Sequence, residues 1–370
     1  VSSVEPSPVA FELETPDRSP LATQSIVLEN KGTNPTSLPW QASTSASWIQ
    51  LKSTSGSTPA VVEFDIDNKR LYHGWNENLI TIETDGGKIE IPVRINVLPL
   101  KVTKLLADPD GTVAYGIHEN AVAGGNCYLL EIDVVTGSVL RTLNIGPKTG
   151  DFTVDFAGGR LFFGKKDVEE IGIVGLDQWS VLPSMPLQGI AGLLAHTSRG
   201  RLVVGPVGFS GYLRIYEASS GDLLSSEYFN STSSMQVSPD GNSLFTSSYG
   251  IEKYDISRDT ATRVGRVDVD SSSAGVFMRS DGERVFVDSR VFDADLNLLG
   301  FTSGIVRSAD RAGNFAIGDK VWWLDGGAEV SSVSGGKVVT LGGGDRYLLV
   351  FGGGYFYSSD LSNHLPGSWP

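Results

Sequence analysis

Ser238-Pro239-Asp240-Gly241-Asn242-Ser243-Leu244-Phe245 places an Asp-Gly turn directly before an apolar run. Gly in a tight turn supplies the positive φ that L-residues avoid, and the apolar run after it reads as a buried strand. The same arrangement returns six times: Asp110-Gly111 before Thr112 to Tyr115, Gly158-Gly159 before Arg160 to Phe163, and Arg199-Gly200 before Arg201 to Val204. It follows again at Asp281-Gly282 before Glu283 to Phe286, Ala312-Gly313 before Asn314 to Ile317, and Gly343-Gly344 before Asp345 to Leu348. Repeats of roughly 30 to 50 residues with no helical periodicity have the length of a four-stranded propeller blade. Seven such units predict a seven-bladed β-propeller over residues 99–370.

A second column supports this register. Each turn is followed by an apolar run that ends in an acid: Asp133, Asp177, Glu217, Asp255, Asp293, Asp325 and Asp360. A regular column of carboxylates at equal depth around a ring shares no substrate. Their expected role is to cap the next turn, as at Thr136-Gly137 or Ser220-Gly221. The Ser-Pro-Asp-Gly run at 238–241 and Thr136-Gly137 resemble the YVTN-type and TolB-type propeller families over 102–370. That resemblance implies a fold more than an activity, since propellers host many functions.

The first hundred residues have a different rhythm. Phe11 to Glu14, Ser25 to Leu28, Val61 to Ile66, Leu79 to Glu83 and Ile89 to Val97 alternate apolar and polar residues, separated by turn signals such as Asp85-Gly86-Gly87. Period two in several short runs predicts a β-sandwich over 1–98. Pro39-Trp40, Trp48-Ile49, Gly56, Gly74-Trp75 and the closing hairpin to Val97 make 11–97 resemble a BACON-type immunoglobulin-like domain. That resemblance implies carbohydrate or mucin association. Trp75, flanked by His73, Gly74 and Asn76 in a turn-like stretch, is the expected exposed sugar-stacking residue, whereas Trp40 and Trp48 read as core.

Composition narrows the function. The 370 residues carry Lys+Arg 29 against Asp+Glu 43, a net charge of -14, with no basic stripe of the kind phosphate neutralisation requires. Nucleic acid is not an expected partner. No apolar run has the roughly 20 residues of a bilayer span, so membrane insertion is not expected. A single cysteine, Cys127, cannot form an intrachain disulfide or a Cys-based metal cage. His73, His118, His196 and His364 are scattered without metal-ligand spacing, and no nucleophile elbow or phosphate loop occurs. Asp108 to Gly111 and Asp268 to Ser271 lack the terminal Glu of a calcium loop. No cofactor, metal or catalytic residue is therefore expected.

Propeller ligands dock where loops converge at the channel mouth. On that face the loops between second and third strands would display His118, Lys165, Asp167, Tyr249, Asp288, Arg290 and Asp319. This mixture of charge and aromatic groups suits a protein or carbohydrate ligand. The leading expectation is a monomeric, non-enzymatic binding or scaffold protein of a bacterial envelope, secretome or phage. Its chain starts at Val1 as an exported protein with its signal segment removed would, placing it extracellularly, on the cell surface or in the periplasm. The alternative is a propeller enzyme, a lactonase-like hydrolase or polysaccharide lyase, acting at the channel mouth.

Overall fold

The computed structural model describes residues 3–31, 37–108, 111–120, 122, 124–206, 210–230, 234–247, 250–269, 275–278 and 282–301, and the backbone of seven short strands between 308 and 360. The protein is all-β, and among the described residues no helix is long and apolar enough to cross a membrane. It divides into two compact units: residues 1–100 with 139–142, and residues 101–138 with 143–370.

The first unit is built from two sheets. One is ordered Ser3–Ser7, Gln24–Lys31, Ala60–Ile66, Ile49–Leu51; the other is ordered Phe11–Pro16, Gly87–Leu98, Gly74–Thr84, Pro39–Thr44, Ser55–Ser57. Pairing is antiparallel except for Phe11–Pro16, which lies parallel to Gly87–Leu98. The period-two pattern explains the shared core. Ile26 and Leu28, Val62 and Phe64, Ile80 and Ile82, and Ile91, Val93 and Ile95 are fully buried at alternate positions of their strands. Phe11 meets Phe64 edge-on across this core, 5.1 Å between ring centres. Trp40 and Trp48 are buried in it, which removes both as sugar platforms. Gly56 sits so close to Trp40 that a Cβ there would lie 2.6 Å from the indole.

In the second unit the described residues form seven sheets in chain order, six of four strands and a last one of three. The first strands are Val102–Ala107, Thr149–Asp155, Leu193–His196, Ser234–Val237, Val276–Met278, Ser308–Ala309 and Val338–Gly342. Each is followed by a second strand at the apolar run read from the sequence: Val113–His118, Arg160–Lys165, Arg201–Gly205, Ser243–Ser247, Arg284–Val287, Phe315–Ile317 and Tyr347–Gly352. First strands of neighbouring sheets adjoin from the second sheet to the seventh, and the seventh adjoins the first. Lys104, in the first sheet, bonds Asp151 in the second. Residues 361–370 lie outside the described residues.

In the first five sheets the central residues of the second strands are mostly apolar because both their faces are buried. Phe163 packs with Tyr115, Ile117 and Leu129 of the first sheet, while its neighbour Phe162 points the other way, into Leu194, Leu202 and Val204 of the third. Val203 and Leu244 share the next layer, and Phe245, Val285 and Val287 the one after. A strand with one solvated face would alternate instead.

Turn chemistry matches the repeat. Gly159, Gly200, Gly241 and Gly282 adopt φ of 61°, 75°, 73° and 79°. In the opening motif the Gly241 amide donates to the Ser238 carbonyl at 2.8 Å, and Asp240 Oδ1 accepts from Ser238 Oγ at 2.6 Å and from the Asn242 amide at 3.0 Å. These bonds hold the Asp240 carboxyl below its ordinary pKa, the Ser238 hydroxyl most of all. Among the column acids, Asp133 accepts from the Thr136 amide, Asp255 from the Ser257 amide, and Asp293 from the amides of Asp295 and Asn297. Glu217 departs from this role by pairing with Arg201 and Ser219. Asp325 lies outside the described residues.

Candidate functional site

First strands of five successive sheets line one cleft of about 870 Å³ in the second unit. Its walls are mostly apolar, from Ile117, Phe152, Leu193, Met235, Val276 and Phe277. Lys104 and Asp151 line it as well. Lys104 Nζ donates to Asp151 Oδ1 at 2.9 Å and to the Phe152 carbonyl at 2.6 Å, and lies 5.4 Å from the centre of the Phe152 ring. Asp151 Oδ2 accepts from the Leu194 amide at 2.9 Å, so one carboxylate ties the first three sheets together. Both of its oxygens are engaged.

Charged residues on connections also border the cleft. Lys148 Nζ meets Asp167 Oδ2 at 2.8 Å, an exposed pair in which each partner favours the other's charge: the Lys148 ammonium titrates above its ordinary range and the Asp167 carboxyl below. Both residues hold left-handed backbone, φ 56° and 68°. Glu119 stands between Lys101 at 3.5 Å and Lys166 at 3.8 Å. Every acid that lines the cleft among the described residues is thus matched to a lysine. Such an arrangement orients polar ligand groups through donors and acceptors set in apolar walls.

The residues expected on the loop face are dispersed. Asp167 borders the cleft. Lys165 does not line it; this last residue of its strand donates to Glu170 Oε2 at 2.8 Å and Ser184 Oγ at 2.7 Å within its own sheet. His118 ends the strand Val113–His118 and is buried rather than displayed, because it is still paired within the sheet, opposite Val102 on one side and Tyr128 on the other. Its Nδ1 accepts from the Lys101 amide at 3.1 Å, its ring lies beside Tyr128, and burial, aided by Lys101, pushes its pKa down to about 4. The imidazole is neutral at pH 7, and its buried Nε2 meets no protein partner. Asp288, at φ 54°, forms the tight turn between Arg284–Val287 and Arg290–Asp293, and Arg290 opens the second of these strands. Neither lines the cleft. Tyr249 and Asp319 lie outside the described residues.

Trp75 lies on the strand Gly74–Thr84 rather than in a turn, and it is half exposed. The Arg94 guanidinium sits 4.8 Å from its ring centre and also pairs with Glu77 at 2.9 Å. Among the described residues no three His, Cys, Asp or Glu side chains gather as metal ligands.

Lys104, Lys148 and Asp151 were not singled out by sequence, yet a signal exists. Lys104, Phe152, Leu193, Ser234 and Gly275 each stand the same number of residues before their turn glycines, 111, 159, 200, 241 and 282, and all five line the cleft. Searches of family models and of curated proteins return no significant match to the chain.

Proposed function

We propose that this is a non-enzymatic binding or scaffold protein of a bacterial envelope, secretome or phage. In this reading the first unit is a BACON-type immunoglobulin-like sandwich, and the second is a seven-bladed β-propeller of YVTN/TolB type presenting its central cleft to a protein or carbohydrate ligand. The cycle of adjoining first strands supports the propeller, since a ring of meander sheets joined at their first strands is that architecture. The observation that carries the binding role is the cleft itself: apolar walls, a few convergent polar groups, and a volume within the roughly 300–1,000 Å³ range of ligand pockets. The resemblance of residues 11–97 to BACON-type domains suggests a sugar-stacking role for Trp75, and an extracellular, cell-surface or periplasmic setting is part of the same proposal. The protein works as a monomer, with neither nucleic acid nor an inserted membrane segment.

Ile190 lines the cleft and is partly exposed, so a larger side chain there narrows the cavity without entering the core. Ile190→Trp and the pair Lys148→Ala/Lys166→Ala are compared with the native protein for capture of ligand from bacterial surface extract and on a glycan array. Both variants lose capture while melting as the native protein does. Retained capture sinks the cleft as the binding site. Turnover of a lactone or an acidic polysaccharide that these variants abolish replaces the reading with the hydrolase or lyase alternative.

A further inference from the structure

Six charged residues line the central cleft, Lys104, Lys148 and Lys166 against Asp151, Asp167 and Glu119, and each pairs with one of opposite sign among them. The described lining is therefore neutral, in a chain whose net charge is -14. Main-chain donors are committed as well: the Gly192 amide donates to the Gly205 carbonyl at 2.9 Å, and the Val276 amide to Ser234 Oγ at 3.0 Å. Two polar side chains of the lining keep hydrogen-bonding capacity. The Thr103 hydroxyl, on an exposed residue, makes no hydrogen bond among the described residues. Gln236 spends one N–H on the Val237 carbonyl at 3.5 Å, which leaves its amide oxygen and second N–H. Both groups are uncharged, and both donate and accept.

This inventory selects among ligands. A net charge would leave water for mostly apolar walls with every counter-charge already engaged, which is costly. An uncharged ligand meets no such penalty. A sugar presents a hydroxyl on nearly every carbon, more than two side chains can satisfy, and Lys104 stands 5.4 Å from the Phe152 ring that might otherwise stack on a pyranose. A peptide presents one amide per residue, and Met235 gives the wall a side chain that reshapes to fit an apolar insert. We propose that the cleft takes an uncharged segment of a partner protein, which inserts one large apolar side chain against Leu193, Met235 and Phe277 while Thr103 and Gln236 supply hydrogen bonds to its main chain. The inference rests on the cleft being the binding site and adds the charge and class of its occupant. Lys148→Ala/Lys166→Ala then loses capture because Asp167 is left unpaired and Glu119 keeps only Lys101, turning the mouth acidic.

Ligand-observed NMR titration of the full chain, at constant low ionic strength so that charge effects are not screened, compares four probes. Three are the acetylated dipeptide amides Gln-Phe, Glu-Phe and Lys-Phe, similar in size and different in charge; the fourth is cellobiose. Gln-Phe should bind at about 1 mM or tighter, and each charged peptide about fivefold more weakly or worse. Gln236→Leu keeps the bulk and should weaken Gln-Phe about fivefold at an unchanged melting temperature. In Lys148→Ala/Lys166→Ala the preference should move to Lys-Phe. Peptide binding undiminished in Ile190→Trp would show that the cleft itself is not the site. Binding that Ile190→Trp abolishes, but with a charged peptide equal to or tighter than Gln-Phe, with cellobiose tighter than any peptide, or with affinity unchanged in Gln236→Leu, overturns the inference and leaves the cleft standing. Absence of peptide binding up to about 20 mM overturns it too, whatever the cleft captures from extract.

Discussion

The buried imidazole of His118 makes the stability of the second unit depend on pH in a calculable way. Its pKa is about 4 in the folded protein, pushed down first by burial and then by Lys101, against an ordinary value of 6.5. Between these values the unfolded chain binds a proton that the folded one does not, so stability rises with pH across that window. The contribution is complete above pH 6.5 and is lost as pH falls towards 4. Integrating one proton over the window gives a loss of about 2 kcal/mol on going from pH 7 to pH 5 and about 3 kcal/mol by pH 4. His196, also depressed chiefly by burial, contributes in the same direction, so His118 must be isolated by difference. In His118→Asn the amide oxygen replaces Nδ1 as acceptor for the Lys101 amide and cannot titrate. Calorimetric unfolding of both proteins at pH 7 and pH 5 should show the native transition falling further than the variant's, by about 5 °C for a unit of this size. Parallel pH profiles for the two proteins would refute a buried, neutral His118.

Three further outcomes follow from contacts already described. Gly56→Ala forces a Cβ against the Trp40 indole and should destabilise the first unit by about 1–3 kcal/mol, read from urea unfolding followed by tryptophan fluorescence, with the second unit unchanged. Lys104→Met leaves the Asp151 carboxylate with the Leu194 amide alone and should cost the second unit about 2 kcal/mol, of which Lys104→Met/Asp151→Asn should recover part. Trp75→Ala, at a half-exposed site, should change stability by less than about 1 kcal/mol and abolish sugar binding by the first unit; a glycan array with undiminished signal would remove the platform.

The strands were legible because their signals are local. Asp240-Gly241 before Ser243-Leu244-Phe245 encodes a turn and a strand within eight residues, and Phe162-Phe163 encodes burial on both faces by its composition alone. The cleft was harder to read because it is assembled from first strands, and Thr103-Lys104, Gly150-Asp151-Phe152 and Ser234-Met235-Gln236 mix polar with apolar residues without an obvious period. His118 looked like a loop residue because Glu119 and Asn120 follow it. Its true environment depends on Lys101, distant in sequence, whose amide bonds the ring. Lys165 similarly finds Glu170 and Ser184 through strand pairing that no motif announces.

A photo-activatable benzophenone side chain placed at position 190 tests the cleft as the binding site most directly. The same group at Tyr212, exposed on the strand Ser210–Glu217, serves as the reference. Irradiation in bacterial surface extract, followed by mass spectrometry of the adducts, reads which surface the ligand occupies. A discrete protein or glycan adduct at 190, absent at 212, is the predicted result; an adduct at 212 with none at 190 would contradict the account.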